Sequence, residues 1–450
     1  MGLAGGLPRW CNRDMSSQAQ EPRKTSSGPN KGRHKGRGKT NARRAAAALL
    51  GAIMRGKTLD EARDKLSDLN DRERNLADAI GQAALRHYGE IEDLLKSHIK
   101  KMPPRNSLAQ PLLFIGAAQL LYMNVPAHAA LHETVAATGR REQPYRGLIN
   151  AVLRNIARAQ DSGTVPVPDP LANIPDWLRA NWKEFYGADK TMAIAASLAH
   201  APPLDLCFKN PAAAKDWLAQ YGGQYAGQSV SPTHIRLTEG TNITKLAGFT
   251  EGDFWVQNAA AGDMALALTA VLDGAAEALD LCAAPGGKTL QLAAAGHKVT
   301  ALDISKTRLQ RLADNLKRTN LSAEWVNADA LDWVAPAAYD AVLLDAPCTA
   351  TGTLRRHPDL LRHRSAAAMA KLMELQAALL ARAADWVKPG GVLAYGVCSL
   401  QPQEGEAQIA QFLEARHDFA LEETTPPKRF TPDDNMDGFY LALMRKGGDG

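Results

Sequence analysis

Two cysteines in this 450-residue chain stand where strand-like runs end. Cys348 follows the apolar run Ala341 to Leu344 and the turn Asp345-Ala346-Pro347, and Cys398 closes the run Gly391 to Val397 ahead of Ser399. Open parallel sheets bind ligands outside the carboxyl ends of their strands. Two thiols and the Asp345 carboxylate are therefore expected to converge on one site. A lone cysteine is ordinary core filler, but two at neighbouring strand ends beside an Asp-x-Pro turn point to nucleophilic chemistry. Carbon 5 of a cytosine is too weak a nucleophile to accept a methyl group from a sulfonium. A thiolate added at carbon 6 makes the ring an enamine-like carbanion equivalent that can. Asp345 is placed to protonate or hydrogen-bond ring nitrogen 3, and a base must remove the carbon-5 proton before the thiol departs. Transfer to an oxygen or an exocyclic amine requires no thiol, so the pair narrows the chemistry.

A second group of residues suits the methyl donor. Asp280-Leu281-Cys282-Ala283-Ala284-Pro285-Gly286-Gly287-Lys288-Thr289 lies where a first strand turns into a helix. Glycines there let the backbone approach a ligand, and the helix start offers free N–H groups. A Walker loop requires glycine where Cys282 stands, and the dinucleotide G-x-G-x-x-G is absent. The loop fits a small zwitterionic nucleoside better than phosphates. Asp303 ends the next strand, Val299 to Asp303, where an acid can hold ribose hydroxyls. Asp329, after the third strand, is a candidate for the adenine amino group; Arg308 is a further candidate for the cofactor, although a solvated helix face is its expected role.

The elements that must position these groups alternate from Trp255 onward. Strand-like runs at Ala278 to Ala283, Val299 to Ile304, Ala323 to Val326, Ala341 to Leu344 and Gly391 to Val397 are separated by helical stripes such as Leu309, Leu312, Ala313 and Leu316. That alternation predicts a parallel sheet. Phe419 to Leu421 and Phe439 to Met444 follow with no helix between them, the antiparallel ending of the methyltransferase variant of the Rossmann plan. Upstream, residues 42–160 are helical throughout. Leu76, Ile80, Ala84 and Tyr88 recur behind Asp71 as N-cap, and Leu148, Ile149, Val152, Leu153 and Ile156 form another stripe. The expected architecture is multidomain: a disordered basic tail (1–41), an all-α domain (42–160), a proline-rich linker (161–175), a small α+β module (176–254) and a C-terminal α/β Rossmann-like domain (255–446).

Composition excludes several classes. No apolar run is long enough to span a bilayer, and no secretory signal frames the N-terminus, so a cytoplasmic protein is expected. Five cysteines without a CxxC pair argue against disulfides and against a metal site. The net charge of +5 is concentrated in the segment from Arg23 to Arg44. That arm is either a solubilising tail or a phosphate-contacting one, and Met15, ahead of it, is an alternative start. A monomer is expected.

The chain also resembles known families. Leu120-Leu121-Tyr122, Pro126-Ala127-His128, His132-Glu133-Thr134-Val135 and the run Leu148 to Ile156 resemble the NusB-type RNA-binding domain over nearly its full length. Asp280 to Thr289, Asp345 to Gly352, Arg355-Arg356-His357-Pro358-Asp359, Cys398 and Glu404 with Glu406 resemble the RsmB (Sun/Fmu) branch of RNA cytosine-5 methyltransferases. The resemblance implies that Cys398 is the nucleophile and that Cys348 assists product release. It implies S-adenosylmethionine contacts from Cys282, Ala283, Ala284, Pro285, Gly286, Gly287, Lys288, Asp303, Asp329 and Asp345. It also implies 16S ribosomal RNA as substrate, unassembled or partly assembled. Four places depart from the family pattern: Val397 replaces Thr, Thr349 replaces Ser, Asn258 replaces Asp, and Cys207-Phe208-Lys209-Asn210 stands for a Leu-Arg-Val-Asn run. Rival readings are a transfer-RNA methyltransferase, a catalytically inactive RNA-binding or assembly protein of the same fold, and a DNA enzyme using the Pro347-Cys348 turn.

Overall fold

The computed structural model describes residues 41–237 and 242–448. Cys11, Met15 and nearly all of the basic segment lie outside the described residues. Among the described residues two compact units divide the chain: residues 41–176 together with His357–His363, and Trp177–Arg356 together with the residues from Arg364 onward.

The first unit is helical: α1 (Ala42–Ile53), α2 (Leu59–Ala62), α3 (Asp71–Arg86), α4 (Tyr88–His98), α5 (Ala109–Tyr122), α6 (Ala127–Ala136) and α7 (Arg146–Asp161). The longest apolar run of the sequence becomes α5, buried on every side from Ala109 to Leu120 and packed against α1, α3, α4, α6 and α7. A helix apolar all round must be central. Asn70, rather than Asp71, caps α3, accepting the Glu73 N–H at 3.0 Å. Tyr88 opens α4 instead of continuing the α3 stripe, because His87 leaves the helical conformation between them. Residues 357–363 return to this unit from far along the chain. Asp359 accepts the Leu59 N–H at 2.9 Å, and the Arg362 guanidinium lies 4.7 Å above the Tyr88 ring. A cleft of about 500 Å³, walled by Glu90, Leu94, Tyr122 and the linker prolines Pro166 and Pro168, also belongs to this unit and holds none of the cysteines.

The second unit opens with α8 (Asp176–Leu198), broken at Gly187. A four-stranded antiparallel sheet follows, made of β1 (Leu204–Phe208), β2 (Gly227–Ser231), β3 (His234–Leu237) and β4 (Phe254–Val256) in the order β2-β3-β1-β4, with α9 (Pro211–Tyr221) against it. Trp255 and Val256 thus belong to this small sheet. Phe208, where an Arg was expected, is 1% exposed and packs on Trp217 and Phe254. At this position the module spends the side chain on its own core.

The remaining elements are α10 (Ala259–Ala270), β5 (Glu277–Leu281), α11 (Gly287–Ala294), β6 (Lys298–Asp303), α12 (Lys306–Thr319), β7 (Glu324–Asn327), β8 (Tyr339–Asp345), α13 (Leu360–His363, within the helical unit), α14 (Ala366–Asp385), β9 (Val387–Val397), α15 (Glu406–Ala415), β10 (Phe419–Leu421), β11 (Lys428–Phe430) and β12 (Phe439–Lys446). The sheet runs β10-β12-β9-β8-β5-β6-β7, parallel from β9 to β7, with β12 inserted antiparallel between β9 and β10 and β11 also paired to β12. The central strands bury both faces. Leu281, Leu344, Leu393 and Val397 pack beneath α14 and α15, while Ala278, Leu343, Val392 and Ala394 pack under α10. Both faces being apolar explains the near-continuous hydrophobic runs of a parallel sheet.

Candidate active site

β5 delivers Asp280 and then bends sharply. Cys282 is left-handed (φ 57°), the Ala284–Pro285 peptide is cis, and Gly286 (φ 108°) caps α11. Glycine suits Gly286 because L side chains rarely adopt its φ of 108°, and a Cβ there would also crowd the Leu312 side chain at 2.5 Å. Asp280 is fully buried. Its Oδ2 accepts the Thr289 hydroxyl at 2.5 Å, Oδ1 has no hydrogen-bond partner among the described residues, and burial raises the carboxyl to about 7. Burial pushes the Cys282 thiol up as well.

β6 places Asp303 beside this loop. Its Oδ2 accepts the Ala284 N–H at 3.1 Å, and its Oδ1 accepts the Ser305 N–H and Arg308 Nη2, both at 2.8 Å. Burial raises this carboxyl, and the Arg308 charge opposes the rise. Arg308 therefore does not lie on a solvated helix face. It reaches into the site from the first turn of α12 and also approaches the Ala284 carbonyl. Asp329 is half-buried, and its Oδ1 accepts the Leu331 N–H at 2.9 Å. Beside the two acids, Ile304 and Leu331 are each 37% exposed, leaving apolar surface at the ends of β6 and β7.

β8 and β9 bring the thiols together. Cys348 Sγ and Cys398 Sγ lie 3.4 Å apart; Cys348 is buried and Cys398 half-buried. The Cys398 sulfur, burial and the nearby Glu404 charge push the Cys348 thiol well above its ordinary range. Asp345 Oδ2 receives Lys288 Nζ at 2.7 Å, and that ammonium lies 5.1 Å above the Phe439 ring. Lys288 thus joins the α11 loop to the thiol side of the site. Backbone closes the arrangement: Gly352 N–H donates to the Cys398 carbonyl at 3.0 Å, and Gly438 N–H donates to the Gly352 carbonyl at 2.9 Å. A Cβ on Gly352 would come within 1.9 Å of Gly438 O, so this crossing tolerates no side chain.

The departures from the family pattern acquire physical reasons. Val397 is fully buried in the sheet core with Leu344 and Tyr395, where a methyl packs as a hydroxyl would not. Thr349 keeps the donor of the usual Ser, giving its hydroxyl to Glu404. Asn258 caps α10 and donates Nδ2 to Asp205 Oδ2 at 3.1 Å; an Asp there would face that carboxylate with like charge. Cys207 is wedged between the small sheet and α12, buried with Trp255, Leu309 and Leu312, and has no part in the chemistry. Sequence reasoning named Asp280 only as the opening of the glycine-loop run and treated Glu404 only as a family match. Nothing in a linear pattern reports that a strand acid ends with an unpartnered oxygen or that one glutamate reaches two loops.

A doubly wound sheet with an antiparallel β12 and a glycine turn after β5 defines a methyltransferase fold of the Rossmann type. Comparison with known proteins agrees. The NusB family model matches residues 40–158, and that of the 16S rRNA methyltransferase RsmB/F family matches residues 267–445. Ribosomal RNA small subunit methyltransferase B of Xanthomonas campestris is 37% identical over 90% of this chain and 97% of its own length. The protein of the same name from Vibrio cholerae is 35% identical over 89% and 96%. The solved structure of PH0851 superposes with a TM-score of 0.69 at 24% identity, covering 90% of this chain and 99% of that one, and shares the fold. The chain belongs to the RsmB/F methyltransferase family.

Proposed function

We propose that this protein methylates carbon 5 of a cytosine in RNA, most specifically 16S ribosomal RNA, in the cytoplasm, through a covalent bond from Cys398. The single observation that carries the reading is the 3.4 Å pairing of Cys348 and Cys398 beside the Lys288–Asp345 ion pair. The small-subunit substrate is supported by the names of the relatives.

The residues at the strand ends suit S-adenosylmethionine. The donor set combines N–H groups at the start of α11, acids at Asp303, Asp329 and Asp345, and the exposed apolar surfaces of Ile304 and Leu331 for a nucleobase. When bound, the cofactor supplies an electrophilic methyl group. Cys282 to Lys288 and Asp303 would hold it, the latter by exchanging one of its present donors for a ribose hydroxyl, while Asp329 would meet the adenine.

Cys398, as thiolate, forms a bond to carbon 6 while Asp345 holds a hydrogen bond or proton at ring nitrogen 3. The displaced ring electrons gather at carbon 5 and make it the nucleophile that would take the sulfonium's methyl, the old carbon–sulfur bond leaving its electron pair on a neutral thioether. A base then takes the carbon-5 proton, the carbon–sulfur bond breaks, and the electron pair returns to Cys398. Cys348 assists that departure by hydrogen-bonding the leaving sulfur. The test is methyl transfer to unmodified 16S and transfer RNA followed by bisulfite mapping. A single protected cytosine in 16S RNA is expected. Methyl groups on another atom would refute the chemistry, and transfer-RNA labelling alone would refute the substrate.

A further inference from the structure

The two thiol loops share one buried anchor. Glu404 is fully buried just before α15. Its Oε1 accepts the Thr349 N–H and Gln376 Nε2, each at 2.9 Å, and its Oε2 accepts the Thr349 and Ser399 hydroxyls, each at 2.5 Å. Thr349 directly follows Cys348, and Ser399 directly follows Cys398. Its own carbonyl accepts the Tyr395 hydroxyl at 2.7 Å, which ties the residue to β9. Thr351 completes the network, receiving the Leu400 N–H at 2.9 Å and donating to Gln401 at 2.9 Å.

We propose that Glu404 is a positioning residue for the two-thiol reaction: one carboxylate, clamped by both loops, sets the sulfur–sulfur contact and holds negative charge against the Cys348 side of the pair. This rests on the reading of Cys398 as nucleophile and gives the anchor a chemical task. A buried carboxylate satisfied by four donors is rigid, so the two sulfurs cannot drift apart independently. Its charge also distinguishes thiols that are otherwise alike. The carboxylate bonds two groups of the Cys348 loop and one of the Cys398 loop, so it opposes ionisation of Cys348 more directly. Cys348 then remains a thiol able to hydrogen-bond the Cys398 sulfur as it attacks and leaves.

The experiment uses the full-length protein and its Glu404→Gln variant, which keeps the volume and removes the charge. The hydroxyls of Thr349 and Ser399 can rotate to accept from the new amide, so the variant retains partners. Carbamidomethylation of each cysteine by iodoacetamide, followed across pH by mass spectrometry, needs no RNA and so does not depend on the methylation reading. Cys348 in the variant is expected to react at lower pH than in the wild type, by about one pH unit. In methylation assays kcat should fall at least about tenfold, with KM for RNA and for S-adenosylmethionine changing less than about twofold, the pattern of an interaction made only in the transition state. Superimposable alkylation profiles in a folded variant would overturn the proposal, as would an unchanged kcat. If the variant does not fold, Thr349→Val and Ser399→Ala remove one arm each. Both are expected to lower kcat with KM retained, and wild-type kcat in both would overturn the proposal. Loss of the Cys398 adduct reading, seen as methylation by Cys398→Ala, is a separate result that leaves the alkylation profiles to be read on their own.

Discussion

Lys288 Nζ and Asp345 Oδ2 meet at 2.7 Å, although one comes from the helix after β5 and the other from the end of β8. The lysine side chain is 9% exposed and the aspartate 33%, so the pair is sheltered but open on the carboxylate side. That open side is where a pyrimidine nitrogen can be reached. Asp345→Asn preserves the volume but cannot exchange a proton in the same way. It should lower single-turnover methylation by about 10²–10⁴-fold, the usual range for a general acid–base group. Activity within threefold of wild type would remove Asp345 from the mechanism.

The thiols should separate by adduct level. Cys398→Ala removes the nucleophile, so both methylation and any covalent protein–RNA species should vanish. Cys348→Ala should still attack and methylate but release slowly, and a complex resistant to a denaturing gel should accumulate. Adducts in the first variant with none in the second would reverse the roles.

Asp303→Ala should weaken S-adenosylmethionine binding by about 1.5–3 kcal/mol, the range for a charge-assisted hydrogen bond. The same change deprives the buried Ala284 N–H of its 3.1 Å acceptor, so thermal stability should fall too. Calorimetry on the folded variant checks the first expectation, and an unchanged affinity would discard the ribose assignment.

Asp280 should make the stability of the cofactor-free protein depend on pH. Burial lifts its carboxyl to about 7 in the folded state, above the unfolded value of 3.8. A raised acid contributes stability that is complete below the unfolded value and is lost as pH rises through the folded one. Between about pH 5 and pH 8 the wild type should therefore lose roughly 2–3 kcal/mol more than Asp280→Asn, from about 1.4 kcal/mol per unit of pKa difference. Urea unfolding of both proteins at the two pH values decides it; parallel pH profiles would mean that Asp280 does not titrate there.

Asp205 and Arg236 form a bidentate pair inside the small module, with contacts of 2.7 and 2.8 Å. Their side chains are 0% and 5% exposed. Asp205→Ala would leave a buried guanidinium uncompensated and should destabilise the unit by about 3–5 kcal/mol, with Arg236→Met in the same chain recovering part of the loss. Denaturant unfolding within about 1 kcal/mol of wild type would show that the pair is dispensable.

Much of this protein was legible in one dimension. Strand runs buried on two faces are continuously apolar, so β5, β6, β8 and β9 announce themselves, and the amphipathic stripes of α7 and α12 do the same at helical period. The glycine turn after β5 and the acids closing β6 and β8 were readable because a Rossmann sheet places strand ends at the ligand, whatever the side chains elsewhere. β11 was not: Lys428-Arg429-Phe430 carries a single apolar residue and becomes a strand only because β12 offers it an edge. Nor was the Asn70 cap, since neighbouring Asn and Asp satisfy the same local preference and only the backbone geometry chooses between them. Arg308 was misread because a charged residue on an exposed helix looks solvated until its first turn is packed against Asp303. Pairing Lys288 with Asp345, setting two sulfurs 3.4 Å apart and joining their loops through Glu404 are long-range events. Local periodicity records which face a residue presents, but only the closed tertiary structure decides which distant residue it meets.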